Sequence, residues 1–231
     1  VGQKYLLERA GAPIVPSYAF YDKQTALNWA DETEFPKVFK LRGGAGSSNV
    51  TLIQTKKDAK RTIRKAFGRG FSSYDTWGSL KERIRKFVNR QTSLWDVTKG
   101  ILRFGRKPEF ARVSGKERGY VYFQDFIPDN DYDTRIIVIG DKAFGLKRYV
   151  RENDFRASGS GNFAYEKELF DERCVNIAFE VNEIIQSQSI AFDFVFDVEN
   201  NPLIVEISYG FTPEGYDDCP GYWDKGLNWH E

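Results

Sequence analysis

The twenty residues SIAFDFVFDVENNPLIVEIS, positions 189–208, alternate between apolar and polar side chains on both sides of a short polar break. Alternation with a period of two is typical of a β-strand, so the stretch predicts an antiparallel hairpin with a tight turn at Glu199–Asn200. On the first strand, one face carries Phe192, Phe194 and Phe196. On the returning strand, one face carries Leu203, Val205 and Ile207. The hairpin therefore predicts a sheet with one side buried in an apolar core.

The same hairpin predicts two carboxylates that face each other. A turn at 199–200 pairs Asp193 with Glu206, which places their Cβ atoms about 5 Å apart on one side of the sheet. Facing carboxylates between apolar neighbours repel each other, and a divalent cation removes the repulsion. Because Mg²⁺ favours one or two carboxylates together with substrate phosphate oxygens, the pair predicts a magnesium site. A solvent-facing hairpin with two hydrated carboxylates fits the spacing equally well.

A glycine-rich loop lies inside VFKLRGGAGSSNV, positions 38–50, between predicted strands at 37–42 and 50–53. The first of these strands places Lys40 on the same face as Val38. Glycines let successive backbone N–H groups converge on an anion, and serine hydroxyls add donors. The residues with these properties are Gly43, Gly44, Gly46, Ser47 and Ser48. A phosphate-binding flap and a plain surface hairpin are both compatible with this pattern.

Composition limits the classes of function. The 34 lysines and arginines nearly balance the 33 aspartates and glutamates, so net charge gives no reason to expect a nucleic-acid or membrane partner. No apolar run approaches the roughly 20 residues of a membrane span, and no signal peptide opens the chain. Cys174 and Cys219 form no CxxC motif, which favours a reducing cytoplasm. The single histidine, His230, excludes histidine-based zinc or Ser–His chemistry in the body of the chain.

The order of predicted elements indicates an α+β fold with mainly antiparallel sheets. The first helix is predicted to end near Gly11 and to turn three side chains inward, those of Tyr5, Leu6 and Leu7. A second helix begins after Asp22, a possible N-cap, and further helices are predicted over 56–67 and 171–186. The segment from Gly210 to the end is predicted to be an ordered loop with packed aromatic side chains.

Residues 70–118 differ from the rest and predict a basic helical insertion. Between Lys81 and Lys107 there are nine basic residues and two acidic ones. A solvated helical face is one interpretation, and a docking surface for an anionic substrate or polymer is the other. No RNA-binding motif is visible, so a nucleic-acid partner is not expected.

Four segments, in this order, resemble the ATP-grasp enzymes, and most closely the branch that adds glutamate to ribosomal protein tails. They are FPKVFKLRGGAGSSNVTLI, YFQDFIPDNDYDTRIIVIGD, LKRYVRENDFRASGSG and AFDFVFDVENNPLIVEIS. The resemblance covers most of the chain except the basic insertion and the aromatic tail. It implies two α+β lobes that clasp ATP, here expected at 1–119 and 120–231.

The resemblance also implies roles for individual residues. Lys40 would reach the nucleotide phosphates under the glycine-rich loop, and Asp133 would approach the ribose. The adenine would be read by Gln124, Asp125, Phe126 and Ile127. Arg148 and Arg156 would steady the transferred phosphoryl group and the acyl-phosphate. The magnesium ligands would be Asp193, Glu206 and Ser208.

Arg148 also shares a strand face with Phe144 and Leu146, so it is predicted to point inward, which is unusual for an arginine without a role. Ser208 stands where the family usually has an asparagine that binds a second metal ion. A serine hydroxyl there would have to bind that ion directly or through a water. The usual N-terminal substrate-binding domain and a first nucleotide lysine would precede Val1. The sequence is therefore expected to be the ATP-binding part of a longer protein.

The function implied is an ATP- and Mg²⁺-dependent ligase that joins a small-molecule or peptide carboxylate to an amine through an acyl-phosphate. Such catalysis rests on positioning and electrostatics, so the lack of histidine is no obstacle. The alternatives are a kinase that phosphorylates a sugar or polyol hydroxyl with the same nucleotide site, and a non-catalytic nucleotide-binding module.

Overall fold

The computed structural model describes residues 1–42, 49–72, 115–150, 155–157, 161–211 and 213–231. They form two compact units, one of Val1–Ser17 with Asp125–Glu231 and one of Tyr18–Gln124. These units divide the chain differently from the lobes predicted at 1–119 and 120–231, because the first 17 residues pack with the C-terminal half.

The helices are α1 (Gly2–Arg9), α2 (Lys23–Glu32), α3 (Lys56–Ala66) and α4 (Glu172–Ile185). The strands of the first half are β1 (Ser17–Phe20), β2 (Lys37–Lys40), β3 (Val50–Ile53), β4 (Phe71–Ser72), β5 (Lys116–Glu117) and β6 (Val121–Asp125). The strands of the second half are β7 (Tyr132–Ile139), β8 (Lys142–Tyr149), β9 (Phe163–Ala164), β10 (Ser189–Phe196), β11 (Pro202–Ser208), β12 (Tyr222–Asp224) and β13 (Trp229–His230). The α+β class and the antiparallel sheets predicted from the sequence are confirmed.

The unit Tyr18–Gln124 is a four-stranded sheet in the order β1-β6-β2-β3 with α2 and α3 packed on it. The helix α3 buries Ala59, Ile63 and Ala66, which recur at the spacing of one helical face. The predicted N-cap of α2 is confirmed, since the Asp22 carboxylate accepts a hydrogen bond from the Thr25 N–H at 2.7 Å.

The predicted basic insertion begins and ends on a strand pair, because β4 and β5 are antiparallel neighbours. Its predicted helical part, and the glycine-rich loop at 43–48, lie outside the described residues.

The other unit is built on a sheet in the order β11-β10-β7-β8-β12-β13, with β9 paired to β8. One face of this sheet packs against α4 and forms the larger core. Its fully buried side chains include Ile136, Val138, Val175, Phe192, Phe194, Ile204 and Trp223. The aromatic tail contributes to this core through β12 and β13, where Trp223 and Trp229 contact edge to face at 4.6 Å. Both cysteines are free thiols.

The first 17 residues belong to this unit through backbone hydrogen bonds to β11. The Val15 N–H donates to the Ile204 carbonyl at 3.1 Å, and the Ile204 N–H donates to the Pro13 carbonyl at 2.8 Å. The prediction that α1 turns three side chains inward is wrong. Leu7 is buried, whereas Tyr5 and Leu6 are 48% and 44% exposed. Successive helical residues are separated by about 100°, so an eight-residue helix that touches the sheet along one stripe buries only one of three adjacent side chains.

The β10–β11 hairpin confirms the pairing of Asp193 with Glu206 but changes the path between them. The connection is longer than a two-residue turn, with Asn200 at a φ of 61° and the Asp197 N–H donating to the Asn201 carbonyl. A bulge next to Asp193 then restores the register by pairing Phe194 with Ile204. Ile204 is consequently buried on the aromatic side, and the predicted apolar row of Leu203, Val205 and Ile207 is wrong, because a bulge switches the side on which following residues lie.

Candidate functional site

The face of the larger sheet away from α4 carries charged side chains on four neighbouring strands. Residues paired across antiparallel strands share a face. The pairs Asp133–Arg148, Arg135–Asp193 and Asp193–Glu206 therefore all project from the same side. We call Asp133, Arg135, Arg148, Asp193 and Glu206 the carboxylate–arginine face.

Asp193 is at the centre of this face and contacts two arginines. Arg135 binds it with both ends of its guanidinium, Nε to Oδ1 at 2.6 Å and Nη2 to Oδ2 at 2.7 Å. Arg148 contacts the same carboxylate through Nη2 at 2.8 Å. Two-pronged arginine–carboxylate contacts fix both position and orientation, so Asp193 is held in one geometry.

Asp133 holds Arg148 in turn. The two side chains form a second two-pronged pair, with both N–O distances at 2.6 Å. Arg148 is 5% exposed, so the prediction that it points inward is confirmed. The resemblance implied that Asp133 approaches the ribose of a nucleotide. In the structure its carboxylate binds the Arg148 guanidinium, a contact that the resemblance did not imply.

Burial and charge oppose each other at the two aspartates. Burial, reinforced by the neighbouring Asp193, raises the pKa of Asp133 in spite of its contact with Arg148. At Asp193, burial disfavours the charged form, but the guanidinium groups of Arg148 and Arg135 hold the pKa well below its usual range. The fixed anion on this face is therefore Asp193.

The arrangement fits a magnesium ion by the chemistry of its donors. An ionised carboxylate has about four lone-pair directions, so Asp193 can keep its arginine contacts and still bind a cation. Glu206, its partner on β11, is exposed to solvent. Among the residues that the structure describes, no three or more His, Cys, Asp or Glu side chains are grouped as a metal cage. Mg²⁺ needs no such cage, because it takes one or two carboxylates and keeps water or phosphate oxygens in its other positions.

Ser208 lies on the same side as Glu206, two residues along β11. Its hydroxyl donates to the Gly210 carbonyl at 3.0 Å, which leaves its oxygen lone pairs available as acceptors. Its place near the acidic pair agrees with its predicted role as a third ligand, which stays a prediction.

Arg135 was missed by the sequence reasoning. The signal was present in the segment DTR, since Asp133 and Arg135 are two residues apart on one strand and share a face. Its partner could not be read from the sequence, because β7 and β10 are separated by 49 residues between Ile139 and Ser189 and only the folded sheet makes them neighbours.

The other predicted nucleotide residues are placed as follows. Lys40 ends β2 opposite Val50 and is partly buried, and Gln124 on β6 is buried at 3% exposure. The five residues of the glycine-rich loop, Gly43, Gly44, Gly46, Ser47 and Ser48, lie outside the described residues. Beyond Gln124, the residues Asp125, Phe126 and Ile127 are all partly buried.

Arg156 lies beside Phe155, with its guanidinium carbon 5.8 Å from the ring centre. Phe155 in turn contacts Phe126 edge to face at 6.0 Å. The structure therefore connects one predicted catalytic arginine with one predicted adenine-binding residue through a single aromatic ring. Their roles remain predictions.

Residues 111–217 match the family model of the RimK-like ATP-grasp domain. This match covers a little under half of the chain, and the fold is that of ATP-grasp proteins. The chain is 24% identical over 206 residues to the alpha-aminoadipate–LysW ligase LysX of Saccharolobus solfataricus, a match that covers 88% of this chain and 58% of LysX.

Solved ATP-grasp structures share the fold. The biotin carboxylase of Campylobacter jejuni, in complex with beta-gamma-ATP, matches at 17% identity with a TM-score of 0.57, over 92% of this chain and 40% of that one. The ATP-grasp ligase PsnB, in complex with its precursor peptide PsnA2 and AMPPNP, matches at 15% identity with a TM-score of 0.51. This match covers 93% of this chain and 50% of the PsnB chain. The chain thus spans little more than half the length of the curated relative that it matches. Among the described residues, no helix has the length and apolar character needed to cross a membrane.

Proposed function

We propose that this ATP-grasp chain is the nucleotide-binding part of an ATP- and Mg²⁺-dependent ligase that joins a carboxylate to an amine through an acyl-phosphate. The observation that carries the proposal is the carboxylate–arginine face, in which the buried Asp193 anion, two fixed guanidinium groups and two further carboxyl groups occupy one side of the sheet. Phosphoryl transfer is accelerated mainly by fixed charges that stabilise the spreading negative charge, and this face supplies such charges.

In the proposal, Asp193 and Glu206 hold Mg²⁺, and Ser208 contributes its hydroxyl directly or through a water. The bound cation would neutralise phosphate charge. Arg148 stabilises the transferred phosphoryl group, and Asp133 keeps its guanidinium in place through the two contacts at 2.6 Å. Arg135 keeps the Asp193 carboxylate oriented toward the cation. Arg156 assists with the acyl-phosphate.

ATP binding is proposed for the nucleotide residues that the resemblance implies. Lys40 and the loop residues Gly43, Gly44, Gly46, Ser47 and Ser48 would bind the phosphates. Gln124, Asp125, Phe126 and Ile127 would bind adenine. In this proposal Asp133 acts on Arg148, in place of the ribose contact implied by the resemblance.

The reaction type is supported by the relatives. LysX is a ligase by name, and PsnB is a ligase that was solved with a precursor peptide. A small-molecule or peptide carboxylate and an amine are therefore the proposed substrates. Two free thiols, one of them buried, are in keeping with a reducing compartment such as the cytoplasm.

An acyl-phosphate trap tests the proposal. The full-length protein that contains this chain is incubated with Mg·ATP, a panel of amino acids and short acidic peptides, and hydroxylamine. We expect ADP and a hydroxamate to form together with at least one acid. Glu206→Gln should abolish both products, because it removes one carboxylate of the proposed magnesium pair, while Lys225→Ala, a change at an exposed lysine, should leave them unchanged.

A kinase would instead release ADP with a polyol or sugar and would give no hydroxamate, since phosphorylation of a hydroxyl forms no acyl-phosphate. That result, or nucleotide binding without any turnover across the panel, would contradict the ligase proposal.

A further inference from the structure

A basic groove lies on the unit Tyr18–Gln124, apart from the carboxylate–arginine face. It has a volume of about 640 Å³. Its walls are the strand β3, one side of α3 and the residues that follow α3. Its lining includes Leu52, Arg61, Arg64, Arg69 and Phe71.

Three arginines of the groove have no counter-charge among the residues that the structure describes. Arg61, Arg64 and Arg69 are exposed, and in the described ranges none of them makes an ion pair or a side-chain hydrogen bond. Other basic residues of α3 do have partners, since Lys56 and Lys60 both contact the Asp31 carboxylate. The groove therefore carries positive charge that the described fold does not neutralise.

The single acid of the lining does not compensate for these arginines. The Asp58 carboxylate accepts one hydrogen bond from the Thr55 hydroxyl at 2.7 Å, and the Asp58 N–H donates to that hydroxyl oxygen at 3.2 Å, at the start of α3. The Asp58 side chain therefore takes part in the N-terminal capping contacts of α3. An anionic ligand is the chemistry that complements the three arginines, because each guanidinium binds a carboxylate in a planar two-pronged geometry.

The strand β3 gives the groove a second property. In the part of the chain that the structure describes, β3 is the last strand of its sheet, with β2 on one side only. An edge strand presents backbone N–H and C=O groups at regular intervals, which an extended polypeptide matches and a phosphate backbone does not. Partly buried Leu52 and Phe71 supply apolar contacts, and the Lys65 ammonium lies 4.1 Å from the centre of the Phe71 ring.

We propose that the basic groove binds an extended acidic segment of a partner polypeptide, which adds to the β3 edge and pairs its carboxylates with Arg61, Arg64 and Arg69. The basic insertion of this chain is a poor occupant, because residues 81–107 carry nine basic side chains against two acidic ones and would be repelled. This binding needs neither nucleotide nor catalysis and stands independently of the ligase proposal.

The test is fluorescence anisotropy of the full chain, without ATP or Mg²⁺, using a labelled peptide of five Glu-Val repeats. We expect saturable binding that weakens as salt is raised, and little binding of the matched peptide of five Gln-Val repeats. The triple variant R61E/R64E/R69E should lose affinity by about tenfold or more, because it replaces the three positive charges that pair with the peptide carboxylates. A tenfold loss corresponds to about 1.4 kcal/mol of binding free energy. The milder R61Q/R64Q/R69Q should weaken binding in the same direction, and circular dichroism of both variants should match the parent.

A matched control distinguishes the effect of the groove arginines on peptide affinity from the effect of the protein's net charge. The variant K23E/K57E/K116E makes the same change in net charge at three exposed lysines of the same unit that do not line the groove, and it should keep its affinity within about threefold. Equal losses in the two triple variants, equal binding of the Gln-Val peptide, or tighter binding of a ten-nucleotide single-stranded RNA than of the acidic peptide would each overturn the proposal.

Discussion

At the scale of single residues, Asp193 shows how a buried carboxylate remains charged. It is 6% exposed, and removal from water alone would favour its neutral form. Two arginines reverse that preference, and of the two, Arg148 is also paired with Asp133. Under the proposed function, these contacts would be in place before any ligand binds, which is how electrostatic catalysis avoids reorganisation during the reaction.

Arg135 provides a stability prediction. Arg135→Ala removes the two-pronged partner of Asp193, and we expect the free energy of unfolding to fall by about 3 kcal/mol, because a buried charge is left with fewer contacts. Lys225→Ala, which removes the exposed pair with Glu183, should cost less than about 1 kcal/mol. Urea denaturation of both variants measures the difference. Similar decreases in the free energy of unfolding would show that the buried Arg135–Asp193 pair stabilises the fold no more than an exposed pair does.

At the scale of elements, hairpin geometry decides where side chains lie. The β10–β11 connection is longer than a two-residue turn, and the bulge beside Asp193 offsets the change in register. The two departures leave the acidic pair opposed while moving Ile204 into the core. A local irregularity thus preserves the pairing of Asp193 with Glu206 and alters the packing around it.

The β12–β13 hairpin gives a pH prediction. The Asp224 carboxylate accepts hydrogen bonds from His230 and from the N–H groups of Asn228 and Gly226, and the contact with His230 contributes most to lowering its pKa to about 2. A lowered folded-state pKa means that the stabilisation is present above the unfolded value of 3.8 and is lost as pH falls toward about 2. Asp224→Asn should therefore lower Tm at pH 6, with the gap to the parent narrowing between pH 4 and pH 2. Thermal scans across this range provide the measurement, and a gap that does not change with pH would contradict the prediction.

At the scale of the whole molecule, the described residues of each unit form a hydrophobic core of their own. The unit of Val1–Ser17 with Asp125–Glu231 has a core built around Phe192 and Phe194, and the unit Tyr18–Gln124 has a core built around Phe39, Ile63 and Phe123. The first residues of the chain contribute Leu7 and Val15 as buried side chains.

This division predicts where a core mutation acts. Leu7→Ala should lower the hydrogen-exchange protection of amides in β10 and β11 by about 3 kcal/mol, while Ile63→Ala should act most on amides in β2 and α3, since each leaves a cavity in its own core. Native-state exchange on both variants measures the pattern. If Leu7→Ala acted mainly on β2 and α3, the assignment of the first 17 residues to the C-terminal unit would be wrong.

The sequence by itself determined the α+β class, the N-cap at Asp22 and the strand pair at 189–208, whereas the predicted opposition of Asp193 and Glu206 is kept by a bulge that the sequence did not predict. These features follow from alternation and capping over a few residues, which act through local geometry. The tertiary structure alone decided that Arg135 and Arg148 meet at Asp193 and that the chain's first residues pack beside β11. Those contacts join strands far apart in the chain, and no local pattern specifies which distant strands become neighbours in a sheet.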